Sequence, residues 1–92
     1  MGRLTKEFDD RLLGVTDDRV ATYGHPAKTF DNIAVLQLVV RECPDARIRH
    51  ALEMICVKMV RLSVSPTHMD SIIDIGGYAR TMAMILDVED ET

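Results

Sequence analysis

The stretch ICVKMVRLSVSPTHMDSIID, residues 55–74, decides the fold, because it ends one apolar helix and begins another within a few residues. Apolar side chains recur at helical spacing on both sides of Pro66, which stops the first helix and suits the start of the second. A linker this short brings consecutive helices together in opposite directions. The stretch therefore predicts an antiparallel pair, packed helix against helix.

Two more helices are predicted before this pair. Apolar residues at helical spacing mark residues 4–22, where Gly14 favours a break, and residues 27–42, which are apolar on two sides. The turn YGHP separates these two segments, and Pro44 is expected in the first turn of the third helix. These segments predict an all-α fold of about four helices.

Composition indicates a single compact bundle. The chain has 92 residues, of which 47% are hydrophobic and only 4% aromatic, so aliphatic side chains must build the core. We assign residues 1–86 to one helical domain and residues 87–92 to an acidic C-terminal tail. Because a chain of this size buries only part of its apolar surface, we expect a homo-oligomer, either a dimer or a larger assembly.

Charge and hydropathy disfavour two classes of partner. The net charge of -4 arises in the terminal tail, which leaves a neutral body with no basic excess for binding nucleic acid. No apolar run approaches the roughly 20 residues that span a bilayer, and the N-terminus is too charged for a signal peptide. We therefore expect a cytoplasmic protein with no membrane partner.

Cys43 and Cys56 are expected to be reduced core residues, since they lack the spacing of a metal or redox pair.

Polar residues on the last two helices form the candidate site. Asp70, Asp74 and Tyr78 follow at intervals of four and share one stripe of the fourth helix, while Lys58 and Arg61 share a stripe of the third. Antiparallel packing brings the two stripes together. They predict either a structural ion-pair network, with Asp70 as a helix cap, or a polar pocket. In the pocket, the carboxylates hold a cation or water and the basic pair faces an anion such as phosphate.

The turn before the second helix supplies further candidates. His25 lies within YGHP, and Arg19 lies one helical turn before Tyr23, so all three are expected at the same corner. A histidine in a turn is more often a cap or an exposed residue, and Arg19 is equally placed to pair with Asp17 or Asp18. If the protein is an enzyme, His25 is the candidate for proton transfer or substrate contact.

Three segments carry a family resemblance. DDRVATYGHPAKTFDNIAVL, MICVKMVRL and HMDSIIDIGGYA together resemble a family of small uncharacterised proteins encoded by tailed phages and prophages. The resemblance spans about residues 17–79 and departs from the family pattern at Thr29, where an asparagine before the phenylalanine is more usual. It implies a phage protein in the cytoplasm of an infected host cell, and it implies no particular activity. The matching positions are Arg19, Tyr23, Gly24, His25, Pro26, Phe30, Lys58, Arg61, His68, Asp70, Ser71, Asp74, Gly77 and Tyr78.

A more distant resemblance is to the MazG-type all-α nucleotide pyrophosphohydrolases. Those enzymes hold Mg²⁺ with four carboxylates, two from each of two helices, to activate water against a nucleoside triphosphate. The resemblance implies a Mg²⁺ site at Asp70, Asp74 and Glu53, with Asp70, Asp74 and His25 as catalytic residues. The carboxylate set is incomplete, because the third helix contributes Glu53 alone. The stripes and the turn themselves, independently of this resemblance, supply the candidate ligand-binding residues Arg19, Tyr23, His25, Lys58, Arg61 and Tyr78.

Three functional hypotheses follow. The first is a phage protein that binds a nucleotide or another phosphorylated small molecule, with or without MazG-like hydrolysis. The second is a non-catalytic phage interaction protein, whose apolar helices build an oligomer and whose charged residues fix the helix register. The third is a nucleic-acid-binding accessory factor that uses Arg47, Arg49 and His50.

Overall fold

Four α-helices account for nearly all of residues 2–90. The computed structural model describes this range of the chain. No strand occurs within it, so the all-α prediction is confirmed, and the helices lie close to the predicted segments. They are α1 (Arg3–Tyr23), α2 (Pro26–Val40), α3 (Ala46–Val64) and α4 (Met69–Asp90).

The turn between α1 and α2 is set by a glycine and a histidine cap. Gly24 has a φ of 87°, a conformation that glycine adopts without the strain of a side chain. Nδ1 of His25 accepts the backbone N–H of Ala27 at 3.1 Å, and Pro26 occupies the first helical position, where no N–H is needed. The turn therefore ends α1 and starts α2 within two residues.

An aspartate cap begins α3. Oδ1 of Asp45 accepts the backbone N–H of Arg47 at 2.9 Å and that of Ile48 at 3.3 Å. The bond from Ile48, followed by those from Arg47, holds the pKa of the Asp45 carboxyl below its ordinary value, because each bond favours the ionised form. The prediction that Pro44 lies in the first turn is wrong, since Asp45 is the cap and α3 begins after it.

Two other helix boundaries differ from the prediction. Helix α1 runs unbroken through Gly14, so the predicted break is absent. A lone glycine costs an exposed helix about 1 kcal/mol relative to alanine, which the rest of a long helix tolerates. Helix α4 continues to Asp90, so the first part of the tail assigned to residues 87–92 is helical. Residues 91–92 lie outside the described range.

Helix α3 is the centre of the bundle. It packs most extensively against α4 and next against α2, and it carries the buried side chains Ala51, Cys56 and Val60. Lys58 lies opposite Asp74, whereas the N-terminal part of α3 lies beside the later residues Tyr78 and Ile85 of α4. The last two helices are therefore antiparallel, as predicted.

Helix α1 contacts the bundle only through its C-terminal end. The Ser65 hydroxyl, at the end of α3, donates to the backbone carbonyl of Thr22. Every residue from Arg3 to Ala21 is exposed, and the molecule measures 55 × 29 × 25 Å along its principal axes. Within residues 2–90, no helix combines the length and the apolar character required to cross a membrane.

Both cysteines are free thiols, as predicted. Cys56 is buried on α3 and Cys43 is half-buried beside the α3 cap, where its thiol lies 3.6 Å from the carbonyl oxygen of Asp45. Burial raises the pKa of the Cys56 thiol, and the charge of Glu53 raises it further. Cys56 therefore behaves as a small apolar core residue.

Candidate functional site

The predicted meeting of charges between α3 and α4 occurs at one ion pair. Nζ of Lys58 lies 2.9 Å from Oδ2 of Asp74, and the side chains are 12% and 45% exposed. The lysine is therefore largely withdrawn from water, while the aspartate keeps part of its hydration. Asp70 is exposed in the first turn of α4. The structure thus pairs one cation with one carboxylate.

Arg61 faces an aromatic ring. Its guanidinium carbon lies 4.5 Å from the centre of the Tyr23 ring, which is the geometry of a cation–π contact. Within the described part of the chain, Arg61 forms no ion pair with Asp70 or Asp74. Lys58 and Arg61 are one helical turn apart on α3, but Lys58 contacts Asp74 whereas Arg61 contacts Tyr23. The two basic side chains therefore do not act as the expected pair.

Tyr23 is held on a second side by His68. The two ring centres are 5.5 Å apart and the planes are nearly perpendicular, at 86°. Nδ1 of His68 lies 2.8 Å from the Ser71 hydroxyl, and the Ser71 N–H donates to the His68 carbonyl at 3.1 Å. Ser71 is only 1% exposed, so its hydroxyl orients the histidine at the start of α4.

His25 lies beside the same tyrosine but is engaged in capping. Its Nδ1 accepts the Ala27 N–H, so that nitrogen is occupied by the start of α2. The Thr29 hydroxyl donates to the carbonyls of Tyr23 and His25, at 3.3 and 3.1 Å, which ties the corner together. His25 itself is exposed.

The largest grouping of predicted site residues surrounds an apolar cavity between α1, α2 and α3. The cavity has a volume of about 260 Å³, and among the described residues that line it Arg19 and Arg61 are the charged ones. Tyr23 belongs both to this cavity and to a neighbouring, more polar one, which His25, Lys28 and Asn32 also line. The apolar cavity is lined by Thr16, Arg19, Val20, Tyr23, Gly24, Pro26, Thr29, Phe30, Ile33, Val57 and Arg61.

Tyr78 and the proposed metal ligands lie apart from this corner. Tyr78 lines a different cavity with His50, and His50 is separated from Arg61 by about 16 Å along the axis of α3. Within the described residues, no group of three histidine, cysteine, aspartate or glutamate side chains is close enough to hold a metal ion. Glu53, Asp70 and Asp74 therefore do not form a shared metal site in this structure.

The basic residues at the start of α3 are occupied with local contacts. Nη2 of Arg47 lies 3.4 Å from Oδ2 of Asp45, and Nη1 of Arg49 donates to the Cys43 carbonyl at 2.9 Å. These contacts fix the connection between α2 and α3. Of the predicted nucleic-acid surface at Arg47, Arg49 and His50, the two arginines therefore have a structural role.

Several residues at the corner carry no predicted role. His68 and Ser71 hold Tyr23 in place, and Thr16, Phe30 and Val57 line the cavity. The spacing of His68 and Ser71, at positions i and i+3 around a helix start, is a signal that sequence reasoning can use. The cavity lining has no comparable signal, because it joins residues from three separate helices.

A comparison with known protein families identifies the family of the chain. Residues 11–86 match the family described as "Domain of unknown function (DUF6378)". This chain belongs to the DUF6378 family. No curated protein and no solved structure is significantly similar to it. The family match contains every residue of the candidate site, from Arg19 on α1 to Tyr78 on α4, and it leaves out the first turns of α1.

Proposed function

We propose that this DUF6378 protein binds a nucleotide, or a similar phosphorylated small molecule with a flat apolar part, at the corner of α1, α2 and α3. One observation carries the proposal: Arg19 and Arg61 flank an apolar cavity that also contains Tyr23 and Phe30. Aromatic and aliphatic side chains suit a base, while guanidinium groups suit a phosphate in planar, bidentate contacts. A cavity of about 260 Å³ suits a base, with the phosphates at its open edge.

The charges around the corner support an anionic ligand. Lys58 is neutralised by Asp74 at 2.9 Å, so it adds little attraction for a phosphate. Arg61 contacts an aromatic ring and keeps its full charge. His25 and Lys28 line the adjoining polar cavity, where phosphates that leave the apolar cavity past Tyr23 would lie.

Hydrolysis of the nucleotide has weaker support than binding. A MazG-type reaction requires Mg²⁺ held by several carboxylates, and the residues of this chain do not fit that requirement. Asp74 is bonded to Lys58, and Glu53 and Asp70 do not join it in a group of three. The activity, like the phage origin and the location in an infected cell, is supported only by the resemblance of the sequence motifs.

A thermal-shift series on the full chain tests the binding proposal. AMP, ADP and ATP, each with and without Mg²⁺, are compared with adenosine and with inorganic phosphate. A ligand at 100 times its dissociation constant stabilises the folded state by about 2.7 kcal/mol, and each kcal/mol raises the Tm of a domain this small by about 4–8 °C. We expect nucleotides to raise the Tm more than adenosine or phosphate does.

Arginine variants locate the binding site. Arg61→Ala and Arg19→Ala are expected to lose most of the nucleotide-induced shift. Arg80→Ala is the matched control, because Arg80 is exposed on α4 and contacts only Met84 among the hydrogen bonds described. No shift with any nucleotide, or equal shifts in all three variants, would contradict the proposal.

A second candidate is a non-catalytic interaction protein that associates with itself. The Lys58–Asp74 pair favours it, because this pair is already satisfied within the bundle and fixes the register of α3 and α4. The nucleotide series separates the candidates, because the second candidate predicts no shift with any nucleotide. Asp74 does not line the proposed cavity, so Asp74→Asn should lower the Tm and leave the nucleotide-induced shift unchanged.

A further inference from the structure

Helix α1 carries an apolar stripe that no other part of residues 2–90 covers. Leu4, Phe8, Leu12 and Val15 are 74%, 63%, 51% and 47% exposed. Their spacing of four, four and three residues places them along one side of the helix. We refer to these four residues as the α1 stripe.

The rest of the α1 surface carries most of its charged residues, and two pairs of them are linked. Lys6 bonds to Asp10 and Arg11 bonds to Glu7, each at 2.9 Å and one helical turn apart. Helix α1 therefore has a continuous apolar stripe in water, beside charged residues of which these four are paired. An exposed apolar stripe of this kind is typical of a helix that packs against a partner.

The α1 stripe continues the wall of the cavity. On a helical projection, Arg19 and Tyr23 fall on the same side of α1 as Phe8 and Leu12, and both of them line the cavity against α2 and α3. The stripe therefore borders the side of α1 that the bundle covers at its C-terminal end. A partner seated on the stripe lies next to the open edge of the cavity.

The amount of exposed surface matches what a second copy covers. The accessible surface is 7048 Å². A compact monomer of 10.3 kDa is expected to have about 5,400 Å², so the excess is about 1,700 Å². Obligate homodimers bury about 1,000–2,500 Å² on each chain. The radius of gyration of 17.0 Å, against about 12 Å for a compact chain of this length, agrees with a protomer that lacks its partner.

We propose that the α1 stripe is the interface of a homodimer, in which α1 packs antiparallel to α1 of a second copy across a twofold axis. The spacing is self-complementary, because antiparallel pairing sets Leu4 against Val15 of the other copy and Phe8 against Leu12. This interface is independent of the ligand proposal, although the second copy also shields the edge of the cavity.

A lipid surface suits α1 less well. Amphipathic helices that bind anionic membranes are rich in lysine and arginine on their polar side. The polar residues of α1 comprise acidic and basic side chains in similar number, with two of each already in ion pairs. A neutral polar side with paired charges fits a protein partner.

The mass of the full chain in solution tests the interface. Light scattering and sedimentation at tens of micromolar are expected to give twice 10.3 kDa for the wild-type chain. Leu12→Asp buries a carboxylate at the centre of the stripe, which is expected to raise the dimer dissociation constant by roughly a hundredfold. Leu13→Asp is the matched control, since Leu13 is the next residue, is 62% exposed and points away from the stripe. It is expected to remain dimeric.

Circular dichroism shows whether each variant remains helical, and Phe8→Ser replaces Leu12→Asp if the latter unfolds. A wild-type mass of 10.3 kDa at every concentration would overturn the proposal. So would a dimer that survives both stripe variants, or one that Leu13→Asp disrupts equally. Co-sedimentation of a monomeric wild-type chain with phosphatidylglycerol vesicles would assign the stripe to a lipid surface and overturn the dimer.

Discussion

The α3–α4 pair and helix α1 use similar amino acids and reach opposite degrees of burial. The pair buries Ala51, Cys56, Val60 and Ser71, and it withdraws most of Lys58 from water. In α1, every residue from Arg3 to Ala21 is exposed, although leucine, phenylalanine and valine recur there at helical spacing. Helical periodicity therefore shows that a helix has an apolar side, and it does not show whether the same chain covers that side.

This difference has a consequence for function. The pair forms a rigid support, on which the start of α4 presents His68 to Tyr23. Helix α1 brings Arg19 and Tyr23 to that support only through its last turns. The proposed ligand site thus lies at the boundary between a well-packed region and a helix that is exposed over most of its length.

Hydrogen exchange is expected to show the largest contrast between the two regions. In the Leu12→Asp variant, which lacks the proposed dimer contact, amides near Cys56 should exchange only on global unfolding, whereas those near Phe8 should exchange by local opening. For a global stability near the lower end of the usual range, the rates should differ by roughly a thousandfold. The measurement is exchange followed by mass spectrometry of peptides. Equal protection of both regions would show that α1 is stabilised within the monomer.

A matched pair of valine truncations should show the next largest contrast. Both are made in the Leu12→Asp background. Val60→Ala removes two methyl groups from a side chain that is 4% exposed, and it should lower the free energy of unfolding by about 2 kcal/mol. Val15→Ala removes the same groups from an exposed site, where the change should lie within about 0.5 kcal/mol. Urea unfolding measures both, and similar losses would contradict the contrast.

The fold could be predicted from the sequence where the signal is local. The short linker around Pro66 and the turn at Gly24 mark helix ends that the structure reproduces. The break predicted at Gly14 is absent, because a weak local preference is overridden by a long helix on both sides. The start of α3 was predicted too early, at Pro44, since the capping hydrogen bonds of Asp45 decide where the helix begins.

Two ion pairs, one in each region, test the same contrast with smaller expected differences in free energy. A double-mutant cycle with Lys58→Met and Asp74→Ala should give a coupling free energy of about 1 kcal/mol, because the lysine is largely buried while the aspartate is partly solvated. The same cycle at Lys6 and Asp10 should give about 0.3 kcal/mol, since that pair on α1 is 79% and 62% exposed. Added salt should weaken the α1 pair more. Equal couplings would remove the energetic distinction between the two pairs.

The candidate site was predictable only in part. The meeting of Lys58 with Asp74 follows from the helical spacing and the short linker. The contact of Arg61 with Tyr23 does not, because the crossing of α1 over α3 leaves no trace in local periodicity. Glu53 has a carboxylate suited to a metal ligand, but whether it lies near Asp70 and Asp74 depends on how α3 and α4 are aligned. Among the described residues the three carboxylates do not come together.

The smallest expected effect concerns the caps that begin the two regions. Helix α3 begins with the side chain of Asp45, whereas Gly2 before α1 offers no side-chain cap. The pKa of Asp45 is lowered in the folded state, so its ionised form stabilises the fold above the unfolded-state pKa of about 4. This contribution is lost as the pH falls through the lowered pKa.

The Asp45→Asn variant isolates that titration, because asparagine also caps helices but does not ionise. Urea midpoints of the two proteins, measured from about pH 7 to about pH 2.5, should differ by a constant amount above about pH 5. Below about pH 4 the wild-type advantage should shrink, while the other carboxylates titrate in both proteins and cancel. A difference that stays constant to the lowest pH would mean that Asp45 has the same pKa in the folded and unfolded chains. The charge of Asp45 would then add nothing to the stabilisation of α3 beyond what an uncharged capping side chain provides, and the caps would not distinguish α3 from α1 by charge.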